Sequence, residues 1–547
     1  MDISRKKKVQ NKNNLKTKII FVTGGVVSGI GKGIVSASIG NILKARGYNV
    51  FIQKLDPYLN IDPGVLNPYE HGEVYVTDDG GETDLDLGHY ERFLNQTLSK
   101  DANITSGRVT QQILENERKG KYGGKTVQII PHFTNEIVNI INKTIDKYQP
   151  DFHIVEIGGT VGDIESNAFI KAISQMHYEK PNDVFYIHVT HVPWLNASKE
   201  FKTKPTQFSL SLLSSNNIQA NMVILRSQFP IGEEIKSKIS SFCYLDKRNV
   251  ISLHDVDNVY EVPLYLESQH ISSTILQYFN IKKTKIDMKD WQSFVDKIHE
   301  PNKQDLTIGM VGKYVEFEDS YKSIKEALMI SAVYEKINLN LKWISSEEIN
   351  EKNVGSKLKD LDGVVVLPGF GKRGFNGKII TVDYTRKENI PTLGICYGMQ
   401  AMTINQARLK GIKNATSSEI SNNGTFVLDI IQGKDKQNIG GTLRLGGDQI
   451  KILPNTIAYQ IYGKNLIKER SRHRYEVNPK YIKQIEDDNF VFSGFQPETK
   501  LIEICELKNH PFYVGVQYHP EFDARPLNPH KLFNAFIKKI KNNKYQD

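Results

Sequence analysis

The sequence predicts an α/β protein built from two successive parallel-sheet domains, the first with a P-loop-like turn. Three observations carry that reading. Short apolar runs of strand length alternate with helix-length periodic stretches, in two separate series. A glycine-rich turn with a lysine joins the first strand to the first helix. A polar, helix-like interval at 282–305 has no strand pattern and separates the two series.

Order is expected from Thr17 onward. Lys18–Thr23 reads as a buried strand, followed by the glycine turn, an apolar-periodic helix from about Gly33 to Arg46, and a strand at Tyr48–Lys54. Strand, turn, helix, strand is a βαβ unit, which makes neighbouring strands parallel. Phe152–Ile157, Val184–His188, Asn221–Leu225 and Val250–Ser252 continue that sheet. The second series runs through Leu306–Val311, Asn340–Ile344, Gly363–Leu367, Thr392–Cys396 and Tyr513–Tyr518. The expected division is a disordered basic arm at 1–16, a first domain at 17–281, a linker at 282–305, a second domain at 306–541 and a tail at 542–547.

Composition narrows the function classes. Of 547 residues, 39% are hydrophobic and 24% charged, the balance of a soluble globular protein of two to four domains. No run approaches the ~18 apolar residues of a membrane span. No apolar core follows the N-terminal charges, so a secretory signal is not expected. Cys243, Cys396 and Cys505 are too few and too scattered for a disulfide framework or a metal site, which points to the cytoplasm. The net charge of +9 sits at the ends: residues 1–18 carry seven Lys/Arg against one Asp, and residues 535–547 four Lys against one Asp. The body is neutral, which is not a nucleic-acid footprint.

The turn Gly24-Gly25-Val26-Val27-Ser28-Gly29-Ile30-Gly31-Lys32-Gly33 suits a triphosphate. Glycines let successive N–H groups converge, the next helix adds its positive end, and Lys32 adds a full charge. It is not a strict Walker A motif. The leading glycine is one residue early, and Gly33 stands where a hydroxyl would meet magnesium. Mg²⁺ then needs other oxygen ligands. Asp84, Asp86 and Glu156 are the candidates, Glu156 the best because an acid closing an apolar strand needs a partner.

The second constellation is Gly394-Ile395-Cys396-Tyr397-Gly398-Met399-Gln400. Glycines two residues either side of the cysteine permit a sharp turn that exposes a nucleophile between a strand and a helix. The helix N-terminus favours thiolate there. A lone cysteine is usually a small buried hydrophobe, which is how Cys243 and Cys505 are read; the elbow reverses that for Cys396. His519, in Tyr518-His519-Pro520-Glu521, is the candidate base, with Glu521 placed to orient it.

These blocks carry a family resemblance. Gly24–Gly33, Lys54–Tyr58, Asp84–Gly88, Glu156–Ser166 and Lys202-Thr203-Lys204-Pro205-Thr206-Gln207 resemble the amidoligase domain of the CTP synthase family. A cysteine elbow followed about 120 residues later by His-Pro-Glu resembles the chain order of class I glutamine amidotransferases. The resemblance implies ATP-dependent amination of UTP to CTP with ammonia from L-glutamine: phosphorylation of uracil O4, then displacement of phosphate. It implies ATP contacts at Ser28, Gly29, Ile30, Gly31, Lys32, Gly33, Asp86 and Val256, the last in the His254-Asp255-Val256 segment. Lys54 would stand near the transferred phosphoryl group, and Asp86 and Glu156 would hold Mg²⁺. UTP, and CTP as feedback inhibitor, would meet Ser28, Asp163, Ile164, Glu165, Lys202, Thr203, Lys204, Pro205, Thr206, Gln207 and Lys238, in a homotetramer that shares this pocket between subunits. Pro205 would stiffen a phosphate-clamping loop.

For the second domain, the resemblance implies glutamine contacts at Gly369, Tyr397, Gly398, Met399, Gln400, Glu419 and Arg474. It implies activation by GTP, with Arg444 in the Gly440–Gly446 stretch tied to it. One departure matters. The family turn Pro-Gly-Gly-Phe-Gly reads Leu367-Pro368-Gly369-Phe370-Gly371 here, and proline has no N–H. The oxyanion donors are therefore expected at Gly369 and Tyr397. Gly29 for serine and Tyr397 for an aliphatic residue are expected to be tolerated. Other amidoligase–glutaminase fusions, such as those amidating cobyrinate or biotin-pathway substrates, share this layout; the Lys202–Gln207 block speaks against them. Intact catalytic residues speak against a purely structural filament protein.

Overall fold

The computed structural model describes residues 16–301, 303–431 and 443–545. The basic arm up to residue 15, the last two residues of the tail, and Gly440, Gly441 and Thr442 lie outside them. The chain folds as two compact units. One joins the described part of 1–61 to Asp101–Met288; the other joins Asp62–Lys100 to the described part of 289–547.

In the first unit, β1 (Lys18–Gly24), β2 (Val50–Asp56), β3 (Asn103–Thr105), β4 (Phe152–Ile157), β5 (Val184–His191), β6 (Met222–Ser227) and β7 (Val250–His254) form one sheet. Its order is β7-β6-β5-β1-β4-β2-β3, and every pairing is parallel. Every expected strand is present. Several run further at their C-terminal ends, where polar residues such as Asp56, Thr190, Ser227 and His254 replace the apolar run. The C-terminal ends of the strands are the edge at which open parallel sheets bind ligands. The chain leaves β1 for one side of the sheet and later fills the other, so the crevice beside β1 is the switch point.

In the second unit, β8 (Gln304–Gly312), β9 (Ile337–Ser345), β10 (Gly363–Val366), β11 (Thr392–Ile395), β12 (Arg444–Ile452), β13 (Leu466–His473), β14 (Phe490–Phe495), β15 (Ile502–Leu507) and β16 (Tyr513–Val516) form a sheet of order β9-β8-β10-β11-β16-β15-β14-β12-β13. The five from β9 to β16 are parallel, as expected. The other four add an antiparallel wing that the apolar-run pattern did not reveal. The inner parallel strands β10, β11 and β16 are buried on both faces. Val365 and Val514 enter one core cluster, while Val364, Val366 and Tyr513 enter another.

Asp62–Lys100 belongs to this second unit, a grouping absent from the expected division at 17–281. The cause is a buried ionic network. Glu91 accepts from Arg470 and Arg525, both at 2.8 Å, and from the Tyr75 hydroxyl at 2.8 Å. Glu82 accepts from Arg472 Nε at 2.9 Å. Buried charges hold only when paired, so these arginines fix the segment in place.

Candidate active site

At the end of β1 the chain turns through Gly25–Gly31 into the helix Lys32–Ala45. Gly31 caps that helix at φ 93°, a left-handed conformation that glycine takes without strain. Among the described residues no side chain caps the helix, whose N-terminal end carries the positive pole of its dipole and suits an anion. Lys32 lies back across Gly24, and its Nζ donates to the Gly159 carbonyl at 2.8 Å. The Val161 N–H donates to Gly24 O at 2.8 Å, so the block after Glu156 is stitched to the turn. Behind it, the His188 ring bonds Thr23 at 2.9 Å and Ser209 at 2.8 Å. Burial, helped by Lys32, pushes His188 down to about 3, so it stays neutral.

Lys54 on β2 and Glu156 on β4 are register partners, and both are buried. Lys54 Nζ lies 3.4 Å from Asp56 Oδ1, and Asn103 donates to Asp56 Oδ2 at 2.6 Å. Two buried carboxylates and a lysine thus share the C-terminal edge of neighbouring strands. Hard oxygen donors there fit a magnesium ion that keeps water and substrate phosphates in its shell.

In the second unit, Cys396 sits between β11 and the helix Tyr397–Leu409 with φ 50° and ψ −98°, strained for a side-chain-bearing residue. The backbone leaves no room for side chains beside it. A Cβ on Gly398 would lie 2.2 Å from Val366 O. The Cys396 N–H donates to Val516 O at 2.7 Å, and Sγ accepts from Gln517 Nε2 at 3.5 Å.

The strand carrying the base ends at Val516, two residues earlier than expected, and the chain then turns out to present His519. The His519 N–H donates to Arg470 O at 2.8 Å, and Nδ1 bonds Glu521 Oε1 at 2.7 Å. Nε2 is buried with no hydrogen-bond partner among the described residues. Burial by itself would lower the His519 pKa, but Glu521 and then Cys396 outweigh it and raise it to about 10. The ring is therefore cationic at neutral pH. Cys396, His519, Glu521, Gly369, Tyr397, Gln400, Glu419 and Arg474 line one cavity of 470 Å³, within the range of small-molecule sites. Glu419 accepts from the Gly371 N–H at 2.7 Å. Burial raises its pKa, opposed by that bond and by Arg474.

Sequence comparison decides what this geometry belongs to. The family model "CTP synthase N-terminus" matches residues 18–281, and "Glutamine amidotransferase class-I" matches 316–539. A CTP synthase of Mycoplasmopsis pulmonis is 56% identical over 532 residues, covering 96% of this chain and 99% of the relative. The chain belongs to the CTP synthase family. The CTP synthase of Bacillus subtilis is 47% identical over 525 residues, 95% of this chain and 98% of the relative. A solved Trypanosoma brucei CTPS glutaminase domain with bound acivicin is 29% identical, covering 43% of this chain and 94% of that one, with a TM-score of 0.41.

Against the pattern expected of a CTP synthase, the glutaminase residues converge most completely. Asp86 falls in the second unit, opening the helix Asp86–Leu94, while Glu156 is in the first. Asp163, Ile164 and Glu165 are exposed on a turn, Lys238 is exposed on the helix Glu233–Cys243, and Val256 follows β7. The Lys202–Gln207 block is not the expected loop. Lys204–Ser214 is a helix with Pro205 in its first turn, where proline costs no hydrogen bond. Lys202 pairs with Glu200 at 2.5 Å. Arg444 is committed to Glu503 and, at 2.7 Å, to Asp448. Sequence reading missed Gln517, which links Cys396 to Gln400 at 3.2 Å. The available signal was a glutamine in the otherwise apolar run Tyr513–Tyr518, and the structure buries it fully. It also missed Gly64, Val65 and Val74, which line the glutaminase cavity from the distant Asp62–Lys100 segment.

Proposed function

We propose that this chain converts UTP to CTP in two linked chemistries, with ammonia generated at Cys396 and consumed at the phosphate-loop domain. Amination of UTP to CTP with glutamine and ATP is the activity of the family to which the chain belongs. One observation carries the assignment of residues: the strained Cys396 shares a cavity with a His519–Glu521 pair.

Cys396 sulfur attacks the glutamine side-chain carbonyl. The N–H groups of Gly369 and Tyr397 receive the oxyanion, and protonated His519 gives its proton to the departing ammonia. His519 then takes a proton from water, which cleaves the thioester to glutamate and frees the thiolate. Glu419 suits the substrate ammonium, and the Arg474 fork suits its carboxylate. Gly398, Met399 and Gln400 shape the same pocket.

At the other centre, Ser28–Gly33 cradle the ATP phosphates, with Lys32 and Lys54 neutralising charge as the γ-phosphoryl group passes to uracil O4. Ammonia displaces that phosphate from C4, giving CTP and phosphate beside ADP. Glu156 would hold Mg²⁺, which supplies charge neutralisation when bound; the assignment of Asp86 to the same ion, and of Val256 to adenine, rests on family resemblance. Asp163–Glu165, Lys202–Gln207 and Lys238 form the reading for UTP and for inhibitory CTP. Ile164, 84% exposed, supports a pocket completed by a neighbouring subunit of a homotetramer. GTP activation and a cytoplasmic location complete the proposal; no helix among the described residues is long and apolar enough to cross a membrane.

The test is UTP-to-CTP absorbance with ATP, with glutamine or ammonium as nitrogen donor. Turnover with both supports the reading. Turnover of neither donor overturns it.

A further inference from the structure

The oxyanion turn Leu367–Gly371 is held from behind by a buried amine. Lys378, on the helix Phe375–Lys387, is 1% exposed. Its Nζ donates to Leu367 O and, at 3.2 Å, to Pro368 O. It also lies 5.3 Å from the ring centre of Tyr397, whose backbone N–H is the second expected oxyanion donor. A Cβ placed on Gly369 would meet Lys378 Nζ and Tyr397 Cδ1 at 3.5 Å each. One amine therefore holds the turn that carries the first donor and packs against the side chain of the residue that carries the second.

Peptide geometry gives this a consequence. In a trans peptide the C=O and the next N–H point in opposite directions. The turn shows the rule at Phe370: its carbonyl accepts from Lys313 at 2.8 Å, and the N–H of the same peptide, on Gly371, donates to Glu419 at 2.7 Å. Lys378 grips the Pro368 carbonyl in the same way, which turns the Gly369 N–H outward. That N–H makes no hydrogen bond among the described residues, and Gly369 lines the cavity with Cys396. The preceding peptide has no N–H to offer, because Pro368 occupies it.

We propose that Lys378 is a positioning residue for glutamine hydrolysis, aiming the Gly369 N–H at the oxyanion in a turn that Pro368 has left one donor short. This deepens the glutaminase reading of Cys396 and rests on it. Burial lowers the Lys378 pKa to about 7, while Cys396 opposes the shift, so the amine keeps donors in either protonation state.

The full-length enzyme tests this through Lys378→Met, which keeps the stem and removes the donors, and Lys378→Arg, which keeps donors. The Met variant should lose about 10–100-fold in kcat for glutamine hydrolysis, with KM for glutamine within about 2-fold. Ammonia-driven CTP formation should not change, since it does not use the oxyanion donors. The Arg variant should recover most of kcat. A folded Met variant with kcat within about 2-fold of the parent overturns the proposal. So does ammonia-driven synthesis that falls in step with kcat, the mark of general disruption. If the Met variant does not fold, the Arg variant decides: retained kcat supports the proposal, and a folded Arg variant with lost kcat overturns it. Glutamine hydrolysis that survives Cys396→Ala would remove the underlying reading instead.

Discussion

Nδ1 of His519 and Oε1 of Glu521 lie 2.7 Å apart, both side chains buried. The pair fixes the ring orientation and, with Cys396, raises the imidazole pKa to about 10 against the burial that would lower it. The folded pKa exceeds the ordinary ~6.5 of the unfolded chain. The resulting stabilisation is complete below about pH 6.5 and lost as pH rises through about 10. Thermal unfolding of His519→Asn should therefore fall less steeply between pH 7 and 10 than that of the parent. Identical slopes would contradict the coupling. Glu521→Gln should reduce glutamine hydrolysis by about 10²–10⁴-fold while sparing ammonia-driven synthesis.

Pro368 removes a backbone donor from the turn, yet the Gly369 N–H remains free to serve. Pro368→Gly should leave kcat for glutamine within about 3-fold and cost about 1 kcal/mol in denaturant unfolding, through added freedom of the unfolded chain. A gain of 10-fold or more in kcat would mean that the missing N–H limits the reaction.

Lys32 folds across Gly24 onto the Gly159 carbonyl, at the mouth of the phosphate turn. Lys32→Ala should lower CTP formation by about 10²-fold or more with either nitrogen donor. Glutamate release by the separate Cys396 centre should persist. Unchanged ammonia-driven synthesis would remove Lys32 from the phosphate site.

Glu91 accepts from two buried arginines and anchors Asp62–Lys100 in the second unit. Breaking such a pair strands buried positive charge. Glu91→Gln should cost about 3–5 kcal/mol in denaturant unfolding of that unit. A loss below about 1 kcal/mol would show that the network is solvated.

The parallel parts of the two sheets were legible because strands buried on both faces write apolar runs, as at Gly363–Val366. The Cys396 elbow was legible because its steric demand falls on glycines two residues away. The antiparallel wing was not, since Arg444–Ile452 and Leu466–His473 carry charges that their neighbours pair. Glu521 was legible beside His519 because the two are adjacent in sequence. Lys378 was not: its acceptors are carbonyls, which every residue has and no sequence marks. The grouping of Asp62–Lys100 with the second unit depends on partners such as Glu91 and Arg470, 379 positions apart, which local patterns cannot join.

The most direct measurement compares Cys396→Ala with the parent enzyme in UTP-to-CTP turnover, once with glutamine and once with ammonium. Abolished glutamine turnover beside parental ammonium turnover is the predicted result. Glutamine-driven synthesis that survives the loss of this sulfur would contradict the account.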